Sequence, residues 1–312
     1  MMRHSNPAAF AAVMLAVVSC TKTPCLEEHP FNLEVVAFED VTKSNYLTEQ
    51  TEERRINALC YLVVNSDGCV VAKEESSLGG ASGCSIPLRL APGTYDYVVV
   101  ANGPDISECS DLSAALSMPV PFDAYNNPSN GYCMVDIGNF NVDRRVKRIS
   151  CVLSRISSRV CLRSVTNELP SDFGVFVPES SALENALVGP ISVGGLLSGT
   201  PERARNSAHE LSGIEIKTGE SFGWTQPLCH YAYPDNALEP TVLTLAGRIG
   251  GILYYYPVRL PHALESNTTV ALDLTIRNLG SADPLVPAEE GAIEAAVTLE
   301  RWKEGNTHNS EI

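Results

Sequence analysis

Hydrophobicity with a period of two, in short runs separated by Gly and Pro, restricts this chain more than any other feature. Strand side chains point alternately to opposite faces, so apolar residues at every second position build a sheet with one buried side. Residues 31–38 (FNLEVVAF) set Leu33, Val35 and Ala37 on one face. Residues 56–64 place Ile56, Ala58, Cys60, Leu62 and Val64 together. Asn65-Ser66-Asp67-Gly68 then turns the chain into residues 69–72, a hairpin with Gly available for positive φ. Residues 95–101 lie between the turn signals Pro92-Gly93 and Asn102-Gly103-Pro104. The pattern continues in residues 149–162, 242–245, 252–258, 270–276 and 293–299. One segment, residues 110–117, reads as a helix with Ser110 or Asp111 as its N-cap. Residues 180–220 are rich in Ser, Gly and Ala and weakly periodic, which predicts loops and short strands. Many short strands with Gly and Pro turns predict an all-β protein made of β-sandwiches.

The 312 residues suffice for about two domains on a prior of roughly 100–200 residues each. A basic cluster, Arg144-Arg145-Val146-Lys147-Arg148, separates a Gly- and Asn-rich stretch from a long apolar run. It divides the chain into an N-terminal domain, residues 31–147, and a C-terminal domain, residues 148–312. Before them stands a basic start at Arg3-His4, an apolar run from Ala8 to Val18, and then Ser19-Cys20. That run is too short to span a bilayer and has the form of a secretory signal, here residues 1–19, with residues 20–30 as a linker. An ordinary signal peptide with Cys20 incidental is one reading. The other is a lipidated Cys20, considered below.

Lys and Arg number 22 against 37 Asp and Glu, a formal charge of −15. Phosphate recognition needs a basic footprint, so nucleic acid is excluded as a partner class. The six histidines show no i, i+4 pair, and there is no HExxH, GxSxG, P-loop or GxGxxG pattern. No Cys or His spacing matches a zinc site, so neither metal nor cofactor is expected. Cys229-His230 are sequence neighbours, and in a strand their side chains would point to opposite faces, so they do not form a nucleophile and base. No catalytic residue can be nominated. Apart from Cys20 there are nine cysteines, several in alternating apolar runs, so buried thiols and disulfides both stay open.

Several segments taken together resemble the fimbrillin family of Bacteroidales, the subunits of type V fimbriae. Val17-Val18-Ser19-Cys20 is similar to a bacterial lipobox. Pro92-Gly93-Thr94-Tyr95 leading to Val100-Ala101-Asn102 is similar to the family's Gly-x-Tyr…Ala-Asn pattern. Leu153-Ser154-Arg155-Ile156-Ser157-Ser158-Arg159-Val160, Tyr231-Ala232-Tyr233-Pro234-Asp235-Asn236 and Tyr254-Tyr255-Tyr256-Pro257-Val258 resemble further blocks. So does the run from Leu274 to Pro284 that leads into residues 293–299, with Trp302 closing the last strand. The resemblance implies two β-sandwich domains of transthyretin-like topology and an outer-membrane lipoprotein acylated at Cys20. It implies a non-enzymatic subunit that supports cell adhesion. Its partners would be the outer membrane, through the lipid, and other fimbrial subunits by strand exchange. In stalk subunits of the family a protease, often Arg-specific, cuts after the first strand, and the open groove takes a strand from a neighbour. Anchor subunits keep lipid and first strand.

On that pattern the displaceable strand carries Leu33, Val35 and Ala37, and the donor strand carries Ile293, Ala295, Val297 and Leu299. The loop at residues 39–53 contains Lys43 but no Arg; Arg54 and Arg55 abut the next strand. They are either a processing site or a solvated basic pair. This favours a lipid-retaining anchor or minor subunit over a cleaved stalk subunit. Residues 293–299 are either a donor or an ordinary last strand, and residues 280–291, rich in Pro, Ala and Glu, would be their hinge. The rival reading is a surface glycan-binding lipoprotein that stacks sugars on Trp224, Trp302 or Tyr254, Tyr255 and Tyr256.

Overall fold

The computed structural model describes residues 27–37, 51–127, 129–143, 145–235, 240–260, 263–284, 286, 288–289 and 291–301. Cys20, Cys25, Phe38, residues 39–50 and Trp302 lie outside the described residues.

The N-terminal half contains β1 (His29–Ala37), β2 (Ile56–Asn65), β3 (Val70–Ala81), β4 (Gly83–Leu90) and β5 (Gly93–Ala101). Helix α1 (Leu112–Leu116), β6 (Pro119–Val120), α2 (Phe122–Tyr125), β7 (Asn126–Asn127), β8 (Gly131–Tyr132), β9 (Met134–Val142) and β10 (Arg148–Arg155) follow. The C-terminal half contains β11 (Ser158–Asn167), β12 (Phe176–Ser192), β13 (Leu197–Glu210), β14 (Ser221–Ala232), β15 (Val242–Ile249), β16 (Ile252–Arg259), β17 (Thr268–Ile276) and β18 (Ile293–Arg301).

Seven strands form the first sheet in the order β3-β2-β5-β9-β10-β1-β4. β3 and β4 are consecutive in the chain yet stand at opposite ends of that order, so the sheet curls on itself around one core. Alternate residues from every side of the curl meet there, including Phe31, Leu33, Leu59, Tyr61, Leu88, Tyr97, Phe140 and Leu153. The second half is a sandwich of two sheets, β14-β11-β17-β18 and β13-β12-β15-β16, with β6 added to β12. Its core includes Val160, Phe176, Leu243, Tyr256 and Leu272.

A third apolar cluster joins the halves. Cys60, Leu62, Val98, Val100 and Val135 on the outer face of β2, β5 and β9 pack with α1, α2, Leu187, Ile191 and Tyr233. These three strands are therefore covered on both faces. The alternation expected for residues 56–64 breaks at one end, because Ile56 packs in the first core with Leu59 and Tyr61 rather than with Cys60 and Leu62. A register shift between Ile56 and Ala58 moves it to the other face.

Two further expectations differ from the structure. The run 149–162 is two strands: β10 pairs with β1 and β9 in the first sheet, and β11 pairs with β14 and β17 in the second. The chain changes sheets at Ile156-Ser157, downstream of the basic cluster at which the sequence divides. Residues 180–220 are mostly long strands rather than loops, but β12 shifts register against β13 four times, and each bulge resets the period. The expected helix and its cap are present: the Asp111 side chain accepts from the Ala114 amide at 2.9 Å. At the expected hairpin the Asn65 side chain accepts from the amides of Asp67 and Cys69, and Gly68 has φ 77°.

Candidate functional site

β1 lies inside the sheet, parallel to β10 on one side and antiparallel to β4 on the other. Its inward face is Phe31, Leu33, Val35 and Ala37, all buried, and Phe31 stacks on Phe140 with ring centroids 5.0 Å apart. Each of the three larger side chains contributes about 1.5–3 kcal/mol on burial, so β1 is held mainly by this face. Outward, Glu34 accepts from the Ser85 hydroxyl at 2.8 Å. Gly83 is required for the close approach of β4: a Cβ there would sit 2.6 Å from the Val35 carbonyl oxygen. Removing β1 would leave two unpaired strand edges, β4 and β10, along an apolar slot.

Ahead of β2 the chain forms a 3-10 turn at Thr51–Arg54. Glu53 is fully buried in the junction between the two halves. Arg159 Nη1 donates to Glu53 Oε2 at 2.7 Å, Arg155 Nη2 donates to the Glu53 carbonyl at 3.0 Å, and the Tyr231 hydroxyl donates to Glu53 Oε1. Arg159 Nε also reaches Thr269 Oγ1 at 3.1 Å, and the Arg155 guanidinium lies over the Tyr132 ring at 5.5 Å. Burial pushes the Glu53 carboxyl up, but the charges of Arg155 and Arg159 and the hydrogen bonds from Tyr231 and Arg159 outweigh it and hold it below the usual range. Burial, with Glu53 beside it, pushes the Tyr231 phenol well up.

Arg54 is half-buried and Arg55 exposed. Both stand between fixed points. Asn102 Nδ2 donates to the Arg55 carbonyl at 2.6 Å, and Asn102 Oδ1 accepts from the Asn57 amide at 2.7 Å. Asn102 holds this position with φ 51°, and Ile56 is fully buried. The sequence identified Arg54 and Arg55 but not Glu53, which it placed in a polar loop. The available signal was the pair Arg155 and Arg159 inside an otherwise apolar run, because two buried cations require a carboxylate.

Among the described residues β18 is the last strand of its sheet and pairs only with β17. Ile293, Ala295 and Val297 pack partly against the second core, while Leu299 is 50% exposed. Of the aromatic residues nominated for glycan stacking, Tyr256 is buried, Tyr254 and Tyr255 are half-buried, and Trp224 packs edge-on against Phe222. His230 is buried, with Nε2 3.0 Å from Ser181 Oγ, and Cys229 is disulfide-bonded to Cys161. Among the described residues no group of three or more His, Cys, Asp or Glu is placed to hold a metal ion, and no helix is long and apolar enough to cross a membrane.

No family model and no curated protein matches the chain. Solved structures do. A candidate cell adhesion protein from Parabacteroides distasonis ATCC 8503 superposes with a TM-score of 0.69 at 15% identity, over 91% of this chain and 100% of that one. A fimbrilin from Porphyromonas gingivalis W83 gives 0.63 at 13% identity, over 87% and 97%. The tip fimbrial protein Mfa3 from Porphyromonas gingivalis, with a C-terminal truncation, gives 0.56 at 18% identity, over 88% and 100%. The chain has the all-β fold of these Bacteroidales fimbrial and adhesion proteins.

Proposed function

We propose that this chain is a member of the Bacteroidales fimbrillin family. It is a structural, non-enzymatic subunit of a surface fimbria, anchored to the outer membrane through a lipidated Cys20 and assembled with other subunits by strand exchange. The observation that carries this reading is the seat of β1. An apolar strand lies between two partners in a slot that another strand of the same alternation could fill. β18 suits the donor role, because Ile293, Ala295, Val297 and Leu299 alternate as Phe31, Leu33, Val35 and Ala37 do, and β18 sits at an open edge. Two sandwich domains, the first ending near β10, would make up the mature subunit.

Within that role we favour an anchor or minor subunit that keeps β1. Glu53 precedes both bonds that an Arg-specific protease would cut at Arg54 and Arg55. Cleavage there would carry Glu53 away with β1 and strip two buried guanidinium groups of their shared carboxylate. The hydrogen bonds on Glu53 and Arg55 also keep the segment from entering a protease cleft in extended form. Metabolic labelling with a palmitate analogue tests the anchor: label is expected on the wild type and lost in Cys20→Ala. Mass spectrometry of envelope protein tests the retained strand. A mature N-terminus at Ile56 would reverse the preference for an uncleaved subunit.

A further inference from the structure

Val35 of β1 has a cysteine on each side. Its register partner on β4 is Cys84 and its register partner on β10 is Cys151. Directly paired residues share a face, so the two thiols flank the Val35 side chain on the inner side. Cys151 is buried in the first core and Cys84 packs partly against it. With β1 seated, the two cysteine backbones are two strand spacings apart, about 9.6 Å. Cysteines whose Cα atoms are more than about 7 Å apart cannot be bridged without backbone movement, so β1 keeps them from joining. Among the described residues β4 is the last strand of the sheet and pairs only with β1. It is joined to β3 just past Gly79 and Gly80, which have φ of 60° and 91°. If β1 leaves, β4 and β10 are antiparallel edges in matching register, and closing by one spacing makes Cys84 and Cys151 direct partners. The protein already uses that geometry. Cys161 and Cys229 are direct partners on antiparallel β11 and β14, with Cα atoms 4.1 Å apart, and they are disulfide-bonded.

We propose that Cys84 and Cys151 are a disulfide site that closes the vacated β1 seat and locks it against refilling. The proposal rests on the strand-exchange reading, in which β1 can leave its seat, and not on the preference for a subunit that keeps β1. The oxidant is a disulfide, such as oxidised glutathione or a thiol–disulfide oxidoreductase of the envelope. The two thiols give up two protons and two electrons, one S–S bond forms between Cys84 and Cys151, and the oxidant's S–S bond is reduced to two thiols. While β1 is in place the reaction is also slowed chemically. Burial pushes both thiols above their usual pKa, with Glu34 adding to this at Cys84 and Asp136 at Cys151, and the thiolate is the reactive form.

The test compares the full wild-type chain with the full chain carrying Leu33→Asp and Val35→Asp, which expels β1 by placing charge on its inner face. Both are treated with oxidised glutathione, digested with trypsin without reduction, and analysed by mass spectrometry. Cys84 and Cys151 each fall alone in their tryptic peptides, residues 74–89 and 149–155. The linked pair is expected in the variant at ten or more times the wild-type yield. Equal yields would overturn the proposal. So would a statistical mixture in which Cys84 links equally to Cys69 and Cys109, the mark of an unfolded chain. A synthetic peptide of residues 29–37 supplies a second readout. It should bind the reduced variant and not the oxidised one, and a Cys84→Ser version of the variant should bind it under both conditions. A peptide that binds neither the reduced variant nor its Cys84→Ser version counts against a displaceable strand, whereas the linked-peptide yield judges the disulfide itself.

Discussion

Arg159 Nη1 and Glu53 Oε2 stand 2.7 Å apart across 106 positions of sequence, both side chains buried where the two halves meet. With Arg155 and Tyr231 they fasten the segment between β1 and β2 to strands of both sheets. Breaking a buried ion pair by removing one partner costs about 3–5 kcal/mol, because the other charge stays desolvated. Glu53→Gln keeps the size and removes the charge, so it should destabilise the protein by that order in chemical denaturation at neutral pH. A change below 1 kcal/mol would show that the junction does not depend on this carboxylate.

The same group gives a pH signature. The folded state lowers the Glu53 pKa, so between the folded and unfolded values the unfolded chain binds more protons and stability rises with pH. Its contribution is complete above the ordinary glutamate value of about 4.3 and is lost as pH falls through the folded value. The stability difference between wild type and Glu53→Gln should therefore narrow on acidification below that value. Melting curves across the acid range check this.

Arg54 and Arg55 should resist an arginine-specific protease in the native protein. Limited digestion followed by N-terminal sequencing should find no terminus at Arg55 or Ile56. Asn102→Ala removes the hydrogen bonds to the Arg55 carbonyl and the Asn57 amide and should expose the cut. Equal rates in both proteins would show that the anchoring is irrelevant.

The β1 seat predicts two stability changes with different causes. Leu33→Ala deletes a fully buried side chain and should cost about 2–5 kcal/mol. Gly83→Ala adds a methyl against the Val35 carbonyl oxygen and should cost about 1–3 kcal/mol by crowding. In hydrogen exchange, the loss of protection in Gly83→Ala should be greatest in β1 and β4. Uniform loss would mean that β1 is not a separable unit.

Leu299 separates coupling from folding. It is half out of solvent in its own sheet, so Leu299→Asp should leave the melting temperature nearly unchanged. In a neighbour's slot the same position would be buried, and the charge would cost several kcal/mol. Incorporation into fimbriae should fall sharply, and wild-type incorporation would remove β18 from the donor role.

The strands were legible because Phe31, Leu33 and Val35, or Val270, Leu272 and Leu274, alternate with polar or small residues on a half-buried sheet. Legibility declined where a second layer covers the strand. In β2 and β5 apolar residues occupy both faces, so Tyr97, Val98, Val99 and Val100 have no period to read. It declined again at β12, whose bulges reset the register. The change of sheet at Ile156-Ser157 left one sign, a flip in the phase of the alternation from Ile149, Cys151 and Leu153 to Ile156, Val160 and Leu162, which is easily passed over in a single apolar run. Glu53 was hidden for another reason: a glutamate in a polar stretch gives no local sign of burial, and its partners lie 102 to 178 positions away.

The parallel pairing of β1 with β10 and of β11 with β17 fixes how the chain would take tension. β10 leads into β11 with only Ile156-Ser157 between them. A pull on the start of β1, where a membrane anchor would attach, against the end of β10 drives parallel neighbours in opposite directions along their length. The hydrogen bonds of the ladder are then loaded in shear, all together, instead of opening one after another as in unzipping. A pull on the start of β11 against the end of β17 has the same geometry. Each half thus meets a longitudinal force with a full ladder, and single-molecule stretching along this axis should give rupture forces above those along an axis that peels β4 from β1.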